Sequence, residues 1–273
     1  MFLITGSNGQ LGTELSKLLP SAIATDAATL DITDASVVRD FIKDNDIDTI
    51  INCAAYTAVD KAEEEAELAF KVNVSGAENL AKTGARIVHI STDYVFDGAA
   101  HKPYTPDDTP APVSVYGRTK LEGERAVLEN ADIALIIRTA WLYSPYGNNF
   151  VKTMQRLGKE KDSINVVCDQ IGTPTYAADL AAAIVAILPQ MDRNNRGIYH
   201  YTNEGVCSWY DFAHEIMALS GLSCKVNPIP SSAYPTKATR PFYSILDKAK
   251  IKETFGITIP YWKESLGKCL KQF

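Results

Sequence analysis

The chain has 273 residues, of which 46% are hydrophobic and 22% charged, and its formal net charge is −6. This is an ordinary globular composition, long enough to bury a core without covalent staples, which excludes a disordered chain or a disulfide scaffold. The balance of 27 Lys+Arg against 33 Asp+Glu argues against nucleic-acid or membrane-surface binding, while leaving room for a local phosphate pocket.

The five cysteines (53, 168, 207, 224 and 269) form no Cys-x-x-Cys pair and fit reduced thiols in a cytoplasmic protein. Met1 runs straight into Phe2-Leu3-Ile4 with no basic leader. No apolar run approaches the roughly 18 residues of a membrane span.

In chain order, Phe2-Leu3-Ile4-Thr5 reads as a buried strand, and Leu11, Leu15, Leu18 and Leu19 mark a helix over 10–19. A second strand at 22–24 precedes a helix over 34–44, begun by Thr33 or Asp34. A third strand at 49–53 is followed by one long helix over 62–83, stopped by Gly84. The stretch Glu63-Glu64-Glu65-Ala66-Glu67 reads as its solvated face. A strand at 86–90, a helix over 117–129, a strand at 133–137, a helix over 148–159 and a strand at 164–167 continue the alternation.

Apolar strands without polar alternation, separated by helices, predict an α/β fold with a doubly wound parallel sheet covered on both faces. Beyond about residue 168, Pro and Gly thicken and helices near 177–188, 208–219 and 261–271 are widely spaced. The expected division is a dinucleotide-binding unit over 1–168, open to later segments, and a smaller substrate lobe over 169–273.

Gly6-Ser7-Asn8-Gly9-Gln10-Leu11-Gly12 lies between the first strand and the first helix. Gly6 permits a tight turn, Gly9 lets backbone approach a pyrophosphate, and Gly12 lets the helix pack close to the strand. The free N–H groups of the helix then face the phosphates. Asp26 follows the second strand at the reach expected for a ribose 2′-OH, and no Lys or Arg occurs between 21 and 38, which leans toward NADH. Asp31 and Ile32 are the alternative border of the adenine, so NADH and NADPH both stay open.

Tyr116-Gly117-Arg118-Thr119-Lys120 contains a Tyr-x-x-x-Lys spacing at the start of the helix after the fourth strand, and that strand delivers Ser91-Thr92-Asp93 at its end. Ligands of open α/β sheets bind beyond those strand ends. On a helix, Tyr116 and Lys120 share a face, so the cation is expected to ease ionisation of the phenol and to hold a nicotinamide ribose. Tyr116 then acts as proton donor to a carbonyl oxygen that the Thr92 hydroxyl orients. A nucleophile elbow and a P-loop are absent from the sequence, and the four histidines lack metal-ligand spacing. His89, inside a strand, reads as a core residue, and Cys53 as a small buried hydrophobe.

These motifs, together with Asn52-Cys53-Ala54-Ala55-Tyr56-Thr57-Ala58-Val59-Asp60, Asn73, Ser91-Thr92-Asp93-Tyr94-Val95-Phe96-Asp97-Gly98, Arg138-Thr139-Ala140-Trp141, Gly147-Asn148-Asn149-Phe150, Asp169-Gln170-x-Gly172-x-Pro174-Thr175 and Arg240-Pro241, resemble the dTDP-4-dehydrorhamnose reductase family of the extended short-chain dehydrogenase/reductases. The likeness covers essentially the whole chain. It implies NAD(P)H-dependent reduction of the C4 ketone of dTDP-4-dehydro-L-rhamnose to dTDP-L-rhamnose. It implies Thr92, Tyr116 and Lys120 as catalytic residues. It implies Gly6, Asn8, Gly9, Gln10, Leu11, Asp31, Ile32, Ala54, Ala55, Tyr56, Asn73 and Lys120 at the cofactor, and Asp93, Trp141, Asn149 and Arg240 at the nucleotide-sugar.

Trp141 serves equally as a sugar platform or as a core residue. Relatives that are 4,6-dehydratases carry Asp-Glu after the Thr, whereas Tyr94 follows Asp93 here. Some members form dimers around Mg2+ held by glutamates, and Glu14 matches one such position, so the chain is expected as a monomer or homodimer. The alternatives are a reductase or epimerase of another nucleotide-4-ketosugar, and a non-catalytic regulatory subunit with the same fold.

Overall fold

The computed structural model describes residues 1–273. Strands β1 (Phe2–Thr5), β2 (Ile23–Thr25), β3 (Thr49–Asn52), β4 (Arg86–Thr92) and β5 (Ala134–Thr139) alternate with α1 (Gln10–Leu18), α2 (Ala35–Asp44), the short α3 (Val59–Ala62), α4 (Ala66–Phe70) and α5 (Ala77–Ala81), and α6 (Val115–Asn130). After β5 come β6 (Leu142–Tyr143), α7 (Phe150–Glu160), β7 (Ser163–Val167), β8 (Ile171–Gly172), β9 (Thr175–Tyr176), α8 (Ala177–Ile187) and β10 (Gly197–His200). The chain finishes with β11 (Cys207–Ser208), α9 (Trp209–Leu219), β12 (Lys225–Ile229), α10 (Ala249–Phe255) and α11 (Trp262–Leu270).

The central sheet has six parallel strands in the order β10-β5-β4-β3-β1-β2. The strand order reverses between β1 and β3, and the crevice beyond their C-terminal ends is where such sheets bind ligands. Both faces are apolar because neighbouring residues of each strand point to opposite layers. Ile4, Ile51, Val88 and Leu135 pack with Leu15 of α1, Leu180 and Ile184 of α8 and Ile251 of α10. Leu3, Ile50, Ile87 and Ile136 pack with Val38 and Ile42 of α2, Leu80 of α5 and Val127 of α6.

Two elements depart from the sequence expectation. The strand at 164–167 does not join the sheet; β7 pairs with β12, and the sixth sheet position is filled by β10. The reason is visible in β7 itself. Its residues 163–166 alternate exposed and buried, so one face is solvated, whereas a strand in a doubly covered sheet is apolar on both faces. A separate core with Met154, Phe212, Ile216, Val226 and Trp262 lies under these later elements.

The helix expected over 62–83 is broken into α3 and α4, then a π-helical turn over Lys71–Gly76, then α5. The wider turn brings Asn73 inward. Its side-chain oxygen accepts from Tyr56 N at 2.8 Å, and its amide donates to Thr119 Oγ1 at 3.0 Å. Gly123 of α6 packs directly against the Asn73 carbonyl, where any Cβ would collide.

Helix α6 is pinned to the sheet by a buried ion pair. Arg138 of β5 donates to Glu124 through Nε at 2.9 Å and Nη2 at 2.7 Å, with both side chains only 1% exposed. Glu124 also accepts from the Ser91 hydroxyl of β4. Removing one partner strands the other charge in the interior, so Arg138→Ala is expected to lower unfolding free energy by about 3–5 kcal/mol, measured by urea denaturation.

Candidate active site

The site is a cleft of about 720 Å³ over the reversal of strand order. Its floor begins at the glycine turn. Gly6 has φ +65°, and a Cβ there would lie 2.7 Å from Ala54 N, so the first turn and the segment after β3 touch backbone to backbone. Gly12 lies against the Gly6 carbonyl, which no side chain would allow. A close backbone cradle opening a nine-residue helix fits a dinucleotide pyrophosphate.

Gly6, Gly9, Gln10, Leu11, Asp26, Asp31, Ile32, Ala54, Ala55 and Tyr56 all line this end of the cleft. The Asp26 carboxyl is held below its usual range, chiefly by the Thr29 hydroxyl and then by Thr29 and Ala28 N–H groups. Asp31 is lowered likewise, first by the Thr33 hydroxyl at 2.7 Å. The charge of Lys71, from the π-helical turn, adds to the lowering at both Asp31 and Asp34. That cation was hidden from a reading confined to residues 21–38.

Asn8 and Asn73 do not line the cleft. Asn8 donates to Asp26, and Asn73 clamps the Tyr56 backbone; both act on residues that do line it.

At the other end, Thr92, Asp93, Tyr116, Lys120 and Trp141 converge. Ser114 caps α6, its hydroxyl accepting from Gly117 N at 3.1 Å, and this sets Tyr116 in the first turn. Gly117 lies so close to the Tyr94 carbonyl that a Cβ would collide with it. The Tyr94 ring meets the Tyr116 ring edge-on, with centroids 5.5 Å apart. Tyr94 follows directly after Asp93, and its place as a wall of the site was not anticipated.

Burial pushes the Tyr116 phenol above its ordinary value, the Thr92 hydroxyl pulls it partly back, and the Asp93 and Tyr94 charges add to the rise. The expected easing of its ionisation by Lys120 is not what the geometry shows. Lys120 Nζ instead donates to the Ile90 carbonyl at 2.7 Å and lies 3.4 Å from His89 Nε2. Its own value is brought down to about 8 by burial, with Glu124 and Cys53 opposing. Tyr116 is therefore a neutral phenol with a proton to give.

Asp93 accepts from Thr92 Oγ1 at 3.0 Å, while its Oδ2 is buried without a partner. Burial pushes its carboxyl up to about 7, against the Thr92 hydrogen bond.

Trp141 walls the cleft with φ +49°, a backbone state that bulky residues rarely adopt. Its indole stacks on Trp209 at 3.5 Å between centroids and covers Gly172, so it joins the sheet to the later elements.

Asn149 and Arg240 lie outside the cleft lining. Asn149 caps α7 by accepting from Lys152 N, and its amide donates to Gln10 Oε1 at 2.9 Å, tying α7 to the glycine turn. Arg240 Nη2 is paired with Asp60 at 2.7 Å, and its Nη1 reaches Tyr94 OH at 3.5 Å. Both support wall residues from behind.

Glu14 is buried, with Oε2 bonded to Lys17 at 3.2 Å and Oε1 unpartnered. No three His, Cys, Asp or Glu side chains gather into a cluster that could hold a metal ion. No helix is long and apolar enough to cross a membrane.

Residues 1–273 match the family described as RmlD substrate binding domain. A dTDP-4-dehydrorhamnose reductase from Aggregatibacter actinomycetemcomitans is 44% identical, over 97% of this chain and 96% of its own length. The crystal structure of one from Clostridium acetobutylicum is 47% identical with a TM-score of 0.95, covering 99% of this chain and 98% of that one. Another, from Bacillus anthracis in complex with NADP, is 41% identical with a TM-score of 0.96, covering 100% and 99%. The chain belongs to the dTDP-4-dehydrorhamnose reductase family.

Proposed function

We propose that this chain reduces the C4 ketone of dTDP-4-dehydro-L-rhamnose to dTDP-L-rhamnose, with NADH or NADPH as the reductant. The observation that carries this reading is a neutral, half-buried Tyr116 phenol beside the Thr92 hydroxyl, in one cleft with the glycine turn. When bound, the reduced nicotinamide supplies the hydride.

This chain's residues do the rest. The turn from Gly6 to Gly12 receives the pyrophosphate, and Ala54, Ala55 and Tyr56 wall the dinucleotide. Thr92 orients the ketone oxygen. Tyr116 gives its phenolic proton to that oxygen as negative charge develops there. The raised proton affinity of Tyr116 keeps the phenol protonated until then, and an alkoxide is the stronger base, so the transfer still runs downhill. Lys120, one turn along the same helix, is held by the Ile90 carbonyl and lies beside His89 rather than the phenol.

Asp93 and Trp141 border the sugar. Lys71 supplies positive charge beside Asp31, which favours tolerance of a 2′-phosphate and offsets the lean toward NADH from Asp26. The five free thiols support a cytoplasmic setting, and the dTDP-sugar is the partner for a monomer or homodimer with no nucleic acid or membrane role.

Purified protein given dTDP-4-dehydro-L-rhamnose is expected to oxidise NADH or NADPH, followed by absorbance. Silence with both cofactors rejects the assignment, and turnover only with a different nucleotide-4-ketosugar redirects it. Tyr116→Phe is expected to lower kcat by about 10²–10⁴-fold with cofactor Kd unchanged in a fluorescence titration.

Asp93 makes a pH prediction. Its folded value lies above its unfolded one, so its contribution to stability falls as pH rises from about 4 toward about 7. Asp93→Asn is expected to shrink the loss of Tm between pH 4 and pH 8 in a thermal scan. An unchanged gap contradicts the burial of that charge.

A further inference from the structure

One buried titratable side chain plays no part in the reduction described so far. His89 lies under Lys120 within a row of polar groups that crosses three strands. Thr5, Asn52 and His89 are register partners on β1, β3 and β4, each 1% exposed, and point to the side covered by α6. Thr5 Oγ1 donates to Asn52 Oδ1 at 2.7 Å, and Asn52 Nδ2 lies 2.9 Å from His89 Nδ1. Beyond the ring, His89 Nε2 is 3.4 Å from Lys120 Nζ. The row thus runs from the residue preceding the glycine turn to the lysine of the catalytic end.

Counting protons fixes the state of each member. Asn52 Oδ1 also accepts from Ala54 N at 3.2 Å, and a backbone N–H can only donate. The carboxamide is therefore held with its oxygen toward β1 and its NH₂ toward His89. An NH₂ facing Nδ1 makes Nδ1 the acceptor, so a neutral imidazole carries its hydrogen on Nε2. The ring is neutral, because burial and the nearby lysine charge hold its proton affinity well down.

The Nε2–H then points at Lys120 Nζ. A neutral amine has a lone pair to accept that hydrogen, but an ammonium has none. The contact is a hydrogen bond with the amine and a clash of donors with the ammonium.

We propose that His89, with its tautomer set by Asn52, is a positioning residue that weakens the hold of Lys120 on its proton. It leaves the lysine close to its own titration point at the active site. This deepens the reductase reading and rests on it for the role of Lys120.

The other groups facing Lys120 act as a counterweight. Glu124, one turn further along α6, favours the ammonium, but its charge is already shared with Arg138 of β5. Cys53, after β3, favours the ammonium only when ionised, and burial holds its thiol up at about 12. The Ile90 carbonyl accepts from either form of the lysine. His89 is thus the one neighbour whose hydrogen-bonding pattern discriminates against the charge, in the same direction as burial.

The first measurement needs no turnover. Long-range proton–nitrogen correlation in nitrogen-15-labelled protein near neutral pH reads the imidazole tautomer, with His89→Gln assigning the signal by its loss. The expected result is hydrogen on Nε2. Hydrogen on Nδ1, or an imidazolium, overturns the proposal.

The second uses Asn52→Asp. One carboxylate oxygen still accepts from Thr5 and Ala54. The other takes the hydrogen of Nδ1, which frees the Nε2 lone pair for the ammonium. The tautomer is expected to reverse, and the alkaline limb of kcat/KM to move up by at least about one pH unit. A reversed tautomer with an unmoved limb overturns the link to Lys120, which a purely structural row would not provide. If the protein oxidises no cofactor with any nucleotide-sugar, the reductase reading fails while the wild-type tautomer still tests this one. The alkaline limb is then read from NADPH binding.

Discussion

The bidentate pair between Glu124 and Arg138 decides where the chemistry sits. Tyr116, Lys120 and Glu124 follow one another along a single face of α6 at four-residue spacing. Whatever anchors Glu124 therefore sets the height and rotation of the two residues above it. Arg138 holds Glu124 from β5, and Ser91 holds it from β4, so the helix is registered against two strands at once. An apolar helix face could slide or roll against an apolar sheet at little cost, but a buried bidentate pair has one geometry. Such a pair is weak evidence for net stability and better evidence for specificity of register. The Arg138 guanidinium also lies over the Phe96 ring, which helps accommodate the Nη1 left without a hydrogen-bond partner.

The same reasoning extends to the rest of the site. Polar side chains at the ends of β1, β3 and β4 stay inside the molecule because each satisfies another, and together they occupy the space that an apolar core would otherwise fill. The π-helical turn at Lys71–Gly76 has a comparable purpose. It turns Asn73 toward the Tyr56 backbone, and Gly123 lets α6 close over it. Strain at Trp141 is held by stacking on Trp209 from the opposite side of the cleft wall. Tyr56, Asp26 and Trp141 are thus fixed by partners that do not themselves face the cleft, namely Asn73, then Asn8 with Thr29, and Trp209.

Much of this was legible beforehand, and the exceptions share a cause. The glycine turn, the Tyr-Lys spacing and the Thr92-Asp93 strand end were readable because each is a local pattern with a fixed consequence. The broken helix between residues 59 and 81 was not. Its apolar spacing looks continuous, and the π-helical turn within it goes with Asn73 spending its amide on Tyr56 and Thr119, partners 17 and 46 residues away. The place of β7 could have been suspected from its alternation of exposed and buried residues, but the filling of the sheet edge by β10 depended on which strand reached β5. Asn149 and Arg240 carried the right chemistry for a sugar phosphate. In the fold, their hydrogen-bonding groups are taken up by Gln10 and Asp60.

By itself, then, the sequence determined the parallel sheet, the crevice beyond its strand ends, and the glycine turn, Thr92, Asp93, Tyr116 and Lys120 that line it. These follow from periodicity, from glycine's lack of a Cβ and from the four-residue repeat of a helix, all of which act within a few residues of chain. Only the tertiary structure decided their states. Tyr116 keeps its proton because its surroundings strip water from the phenol, Asp93 is raised because burial strips water from its carboxyl, and Lys120 is turned toward Ile90 and His89 rather than toward the phenol. Proton affinity and hydrogen-bond direction depend on desolvation and on groups brought from distant strands, and the distance between those groups exists only after folding.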